Sequence, residues 1–115
     1  MELTIRIVDK LKTLIESQGR KLTVAFIPYK VHVVENISHN HPMVSLFADM
    51  LWKKKIEYLE PFFIFSQLDV KKAGLFNKGD NHFSPQGHAL FVRTLLEPEL
   101  MEQTRNYYHK SSPDS

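Results

Sequence analysis

The sequence predicts an α/β fold with parallel strands covered by helices. Three observations carry that expectation. Residues 3–18 follow the period of an amphipathic helix. A continuous apolar run at 22–27 follows almost at once, as in a strand buried on both faces. Ser84-Pro85 then reads as the entry to a late helix, because Ser is a favoured N-cap and Pro is tolerated at the first helical position. A chain of 115 residues holds one domain with a modest core. It is expected over residues 1–109, with 110–115 as a polar, Ser/Pro-containing tail.

The elements follow in order. In the first helix Leu3, Ile7, Leu11, Leu14 and Ile15 form the apolar stripe, Gly19 stops it, and Arg20-Lys21 suit its carboxyl end. Leu22 to Ile27 is the buried strand, closed by Pro28. Tyr29 to His41 is a polar, punctuated loop at that strand's carboxyl end, where open α/β sheets bind ligands. Pro42 opens a second helix to about Lys54, with Leu46, Phe47, Met50 and Leu51 inward. Lys53-Lys54-Lys55 complement its carboxyl terminus, a reading that outweighs a phosphate-binding patch. Ile56, Tyr58 and Leu59 suggest a second short strand. Pro61 starts a buried helix through Leu68, with a strand as the competing assignment, and Gly74 ends it. The helix after Ser84 is expected to bury Ala89, Val92, Leu95 and Leu96, and Pro98 restarts a shorter one to about Tyr107. Trp52, Phe62, Phe63, Phe65 and Phe76 read as core. Tyr107, Tyr108 and His109 carry no mark of a binding role.

Composition narrows the function classes. The chain is 43% hydrophobic and 24% charged, with a net charge of +2. That excess of Lys and Arg is too weak to indicate nucleic acid or membrane as a partner. The absence of cysteine excludes disulfides and thiolate metal sites and leaves the compartment open. No apolar run approaches the roughly 20 residues of a membrane helix. The first residues lack the apolar core of a secretion signal, so for an exported protein that signal would lie upstream. The localisation is unknown from sequence.

The stretch Gly79-Asp80-Asn81-His82-Phe83-Ser84-Pro85-Gln86-Gly87-His88 concentrates the chemistry. Asp80 and His82 are expected in a short extended or turn segment, and in an extended backbone residues two apart project to one side. Asp80 can then hold one ring nitrogen of His82 and leave the other free, while Phe83 points into the core. A carboxylate-oriented imidazole is the base half of an acyl-transfer triad. The competing reading is a pair that only stabilises a turn. Ser84 reads as a cap rather than a nucleophile, and His88 as a first-turn packing residue.

Residues 80–88 resemble the last conserved block of the SGNH (GDSL-type) hydrolase superfamily, in which an Asp and a His precede a helix. The resemblance extends weakly back through Leu22–Lys30 and Ile56–Pro61. It implies a partial flavodoxin-like three-layer sandwich, with His82 as general base and Asp80 as its orienting partner. It also implies an ester or acylated carbohydrate as substrate, in a family of esterases, lipases, deacetylases and O-acetyltransferases, with no cofactor. The sequence departs from the family in three ways. The spacing is Asp-x-His, where Asp-x-x-His is commoner. No Gly-Asp-Ser nucleophile block is present. Asn36 and Asn40 lie in a suitable loop but lack the context of the family's oxyanion-binding Asn. The chain therefore resembles the carboxyl-terminal half of such an enzyme and is expected to be inactive alone. Apolar helix faces and strand edges should be exposed, favouring self-association or pairing with an amino-terminal half.

Two other classes are weighed. One is a non-catalytic interaction module. The other is a small metal-binding protein using His39 and His41 with His82 and Asp80, against which loop histidines at this spacing are ordinarily polar surface. Lys30 and His32 read as solvated loop residues with a possible reach to substrate.

Overall fold

The computed structural model describes residues 1–110. Apart from Lys110, the expected polar tail lies outside the described residues. The elements are α1 (Glu2–Ser17), β1 (Thr23–Ala25), α2 (Lys30–Val34), α3 (Pro42–Lys53), β2 (Glu57–Leu59), α4 (Phe62–Ser66), a 3-10 turn (Lys72–Leu75), α5 (Pro85–Leu96), α6 (Pro98–Thr104) and α7 (Tyr107–Lys110). The class is α/β, mostly helical, around a two-stranded parallel sheet. Thr23, Val24 and Ala25 register with Glu57, Tyr58 and Leu59.

Local chemistry explains the boundaries. α1 stops in a Schellman arrangement: Gly19 N–H donates to Glu16 O (3.0 Å) and Arg20 N–H to Ile15 O (3.2 Å). Gly19 takes φ +73°, which a side chain resists. Pro42 opens α3, and the His41 ring caps it by accepting the Met43 N–H at 3.2 Å. Pro98 separates α6 from α5. The other edge of β2 is bridged at Leu59 by Arg105, and Asn106 N–H donates to Tyr58 O at 2.8 Å. Among the described residues no strand pairs with the outer edge of β1.

Burial corrects several expectations. The run 22–27 is not sealed on both faces: Leu22, Val24 and Phe26 pack inward, while Ile27 stands in solvent. Both faces of β2 are covered, since its adjacent residues Tyr58 and Leu59 are buried, so the exposure falls on β1, where Thr23 is exposed, and on Ile27 beyond it. The α1 stripe exists, yet Leu3, Ile7, Leu11 and Leu14 are exposed, and α1 instead docks Ile5 and Val8. In α3 Leu46 points out, and Ala48 joins Leu51 inside. α5 buries Gly87, Leu90 and Thr94, whereas Ala89, Val92 and Leu96 are exposed. The cause is Gly87: a Cβ there would lie 1.9 Å from the Leu75 carbonyl oxygen, so the helix turns its bare backbone to that turn. The polar loop after β1 contains α2, which buries Val33 completely. Gly74 sits within the 3-10 turn instead of ending a helix. Phe62, Phe65 and Phe76 are core, but Phe63 and Trp52 are exposed. Each of those two finds an aromatic partner at the surface, Tyr107 and His109 respectively.

Two apolar clusters result. One gathers Val33, Phe62, Phe65, Leu75, Phe76, Phe83 and Leu90 beneath the acid–histidine stretch. The other gathers Ile5, Ala48, Leu51, Ile56 and Tyr58 between α1, α3 and the sheet.

Candidate functional site

Phe76 and Phe83 form an antiparallel bridge, and their rings belong to the first cluster. Ser84 N–H donates to Leu75 O (3.0 Å) and Asn77 N–H to His82 O (2.9 Å), closing residues 77–82 into a tight loop. Gly79 makes the turn with φ +84°. Ser84 Oγ donates to Gly74 O (2.6 Å) and accepts the Gly87 N–H (3.2 Å), so it caps α5 and is not available as a nucleophile. His88 stands at the surface, edge-on to Phe83 at 5.4 Å.

Within the loop Asp80 Oδ1 accepts the His82 backbone N–H at 2.8 Å. The same oxygen lies 3.4 Å from His82 Nδ1. Of the expected short extended or turn segment the backbone takes the turn, of Asx type, and it brings carboxylate and imidazole together. The backbone bond from His82, followed by the charge and hydrogen bond of its ring, holds the Asp80 carboxyl below its usual range. A carboxylate on Nδ1 favours the tautomer with the proton there, leaving the Nε2 lone pair outward.

Lys30 positions the loop. Its Nζ donates to Asn77 O (2.7 Å) and Asp80 O (2.6 Å). Because Lys30 opens α2 just past β1, the tether brings the acid–histidine pair to the carboxyl end of the sheet. The pair is open to solvent: the His82 side chain is 85% exposed. A cavity of about 630 Å³ lies elsewhere, at the opposite, amino end of the strands.

His39 and His41 do not gather with His82 and Asp80. They cluster with Tyr29 and His32, ring centres 5.2 to 6.0 Å apart. His32 Nδ1 donates to His39 O and His39 Nδ1 to Asn40 O, at 2.7 and 2.8 Å. Among the described residues no group of three or more His, Asp or Glu side chains could hold a metal ion. Asn40 is fully committed: Oδ1 accepts from Tyr29 N–H (2.8 Å) and His41 N–H (2.9 Å), and Nδ2 donates to Ile27 O and Glu60. It has no amide proton left for an oxyanion. Asn36 adopts a left-handed φ of +57° in the same loop.

Two groups of functional character carried no signal in the sequence. Glu60 is completely buried, and its oxygens meet only the Phe62 N–H (2.8 Å) and Asn40 Nδ2 (3.3 Å). Burial pushes its carboxyl up to about 7. The second is a carboxylate–imidazole–phenol chain. Asp49 Oδ1 lies 3.5 Å from His109 Nε2, and Tyr58 Oη donates to His109 Nδ1 at 2.6 Å. The Trp52 indole stacks on that imidazole at 4.3 Å and 9°. Burial lifts the Tyr58 hydroxyl to about 12, so the phenol keeps its proton and acts as a donor. These residues come from three elements, and no local spacing announces them.

Compared with family models, curated proteins and solved structures, the chain finds no match.

Proposed function

We propose that this chain supplies the acid–base pair of an SGNH-type serine acyl hydrolase or O-acyltransferase acting on an ester or acylated carbohydrate. In this reading the two-stranded sheet is part of a larger flavodoxin-like sandwich. The observation that carries it is the Asp80 carboxylate against His82 Nδ1, on a loop that Lys30 ties to the carboxyl end of the sheet. A serine from an amino-terminal half attacks the ester carbonyl. His82 Nε2 accepts its proton, and Asp80 stabilises the imidazolium. Oxyanion donors come from that same half, since Asn40 is occupied.

The chain alone should show little turnover of p-nitrophenyl acetate. Supplied with an SGNH half bearing Gly-Asp-Ser, it should gain activity that His82→Ala reduces about a thousandfold or more. No gain on supplementation ends the acid–base reading. Turnover by the chain alone, lost in His82→Ala but resistant to a serine-directed fluorophosphonate, ends the nucleophile assignment.

A second reading, an interaction module, is favoured by the exposed α1 stripe of Leu3, Ile7, Leu11 and Leu14 and the open edge of β1. The occupant is a second copy, whose identical stripe buries these residues in a helix pair. Sedimentation velocity should then give a mass that rises with concentration and returns to monomer in Leu11→Glu. A monomer at every concentration removes this reading.

A further inference from the structure

The cavity at the amino end of the strands contains neither Asp80 nor His82 among its walls. It opens where the strands begin, with Lys21, Trp52, Lys53, Lys55, Glu57 and Asn106 among its walls. Its volume of about 630 Å³ falls within the roughly 300–1,000 Å³ of small-molecule sites.

The walls have a definite chemistry. Trp52 is 45% exposed, with His109 stacked against its ring system. A second planar ring laid on the open part of the indole extends a stack already begun. The cations are unequal. Lys21 Nζ is held by Glu57 Oε2 at 2.8 Å and Lys53 Nζ by Asp49 Oδ2 at 3.0 Å. Lys55 has no acidic partner among the described residues, and a left-handed φ of +58° sets it in the turn between α3 and β2. Asn106 spends its Oδ1 on the Tyr58 N–H at 3.1 Å, and its Nδ2 has no acceptor among the described residues. Free donors therefore outnumber free acceptors. Glu57 is the single acid on the wall and is already shared by Lys21, Thr23 and Arg105. The carboxyl end of α3 disfavours an anion nearby, but its carbonyls are taken up: Lys55 N–H bonds Trp52 O (3.0 Å) and Ile56 N–H bonds Leu51 O (2.9 Å).

We propose that this cavity binds a small anion carrying a planar ring, of the nucleoside monophosphate class, with the ring on Trp52 and the anionic group on Lys55 and Asn106 Nδ2. A bare phosphate uses only the donors and leaves the indole unused; a neutral nucleoside leaves the charge unused. The site is independent of the acid–histidine pair and of the reaction proposed for it.

Trp52 is the sole tryptophan, so its fluorescence reports this cavity alone. The experiment titrates the full chain with AMP, adenosine and inorganic phosphate. AMP should quench saturably, with adenosine and phosphate each weaker by about tenfold or more, the value of one charge-assisted hydrogen bond. Lys55→Asn removes the charge with a residue that accepts the left-handed turn, and it should weaken AMP by a similar factor while the circular dichroism stays unchanged. Should that variant misfold, sodium chloride decides with the native chain: AMP affinity should fall as salt rises. The proposal is overturned by no saturable quench with AMP, by adenosine or phosphate binding as tightly as AMP, by a folded Lys55→Asn that binds AMP equally well, or by an affinity indifferent to salt.

Discussion

Asp80–His82 and Asp49–His109 are both carboxylate–imidazole contacts, at 3.4 and 3.5 Å, yet they are built on opposite plans. The first is made by one six-residue loop. Its carboxylate is satisfied by the backbone next to it, and the imidazole faces water. The second joins α3 to α7, adds the buried Tyr58 hydroxyl, and lies under the Trp52 ring. A local pair can be removed without disturbing the core, which leaves it free for chemistry. A pair that joins distant elements is part of what holds the fold, and its imidazole is not free to act on a substrate.

The widest test of that contrast uses pH, because the buried side also contains Glu60. Burial raises the Tyr58 and Tyr108 hydroxyls, and the charge of Glu60 adds to both shifts. Asp80 is shifted down and Glu60 up to about 7 from 4.5. In the folded chain Glu60 holds its proton more tightly than in the unfolded one. Its contribution is therefore fully present below about 4.5 and is lost as pH rises through about 7. Two to three pH units of displacement correspond to about 3 kcal/mol. Urea unfolding at pH 5 and pH 8 should show a fall of that order, and Glu60→Gln should abolish most of it, since Gln mimics the protonated acid. An equal fall in Glu60→Gln would place the titrating group elsewhere.

The same contrast explains what could be read from the chain. Much of what neighbours in sequence set was legible: the Gly19 stop, the Pro42 and Ser84-Pro85 helix starts, and the meeting of Asp80 with His82, although α2 inside the polar loop was not. Of what depended on distant partners, the parallel strands were legible from the helix–strand order, but the burial of individual side chains was not. Trp52 reads as core from its type, but it meets His109 far along the chain and stays at the surface. The buried face of α5 is offset from the Ala89–Val92–Leu96 pattern because a close approach to Leu75 selects Gly87, and a glycine has no weight in an apolar count. Glu60 reads as a polar residue ending a strand; only the arrival of Asn40 and the Phe62 N–H makes its burial tolerable.

The smaller effect is the more discriminating one. In His109→Ala the Tyr58 hydroxyl loses its acceptor inside the protein, and Trp52 loses its stacking partner. A buried donor left unpaired costs about 1–3 kcal/mol. In His82→Ala an exposed ring is lost while the Asx bond from the residue-82 N–H to Asp80 survives, so the cost should be under about 0.5 kcal/mol. Urea midpoints compare the two variants directly. Tyr58→Phe combined with His109→Ala separates the causes: with the hydroxyl gone there is no orphaned donor, so the double variant should be less destabilised than the two single costs added together. Strict additivity would show that His109 serves as packing for Trp52 and that the phenol–imidazole bond is incidental. A large loss in His82→Ala would mean that the exposed loop, too, holds the fold together, and the division of labour between the two pairs would fail.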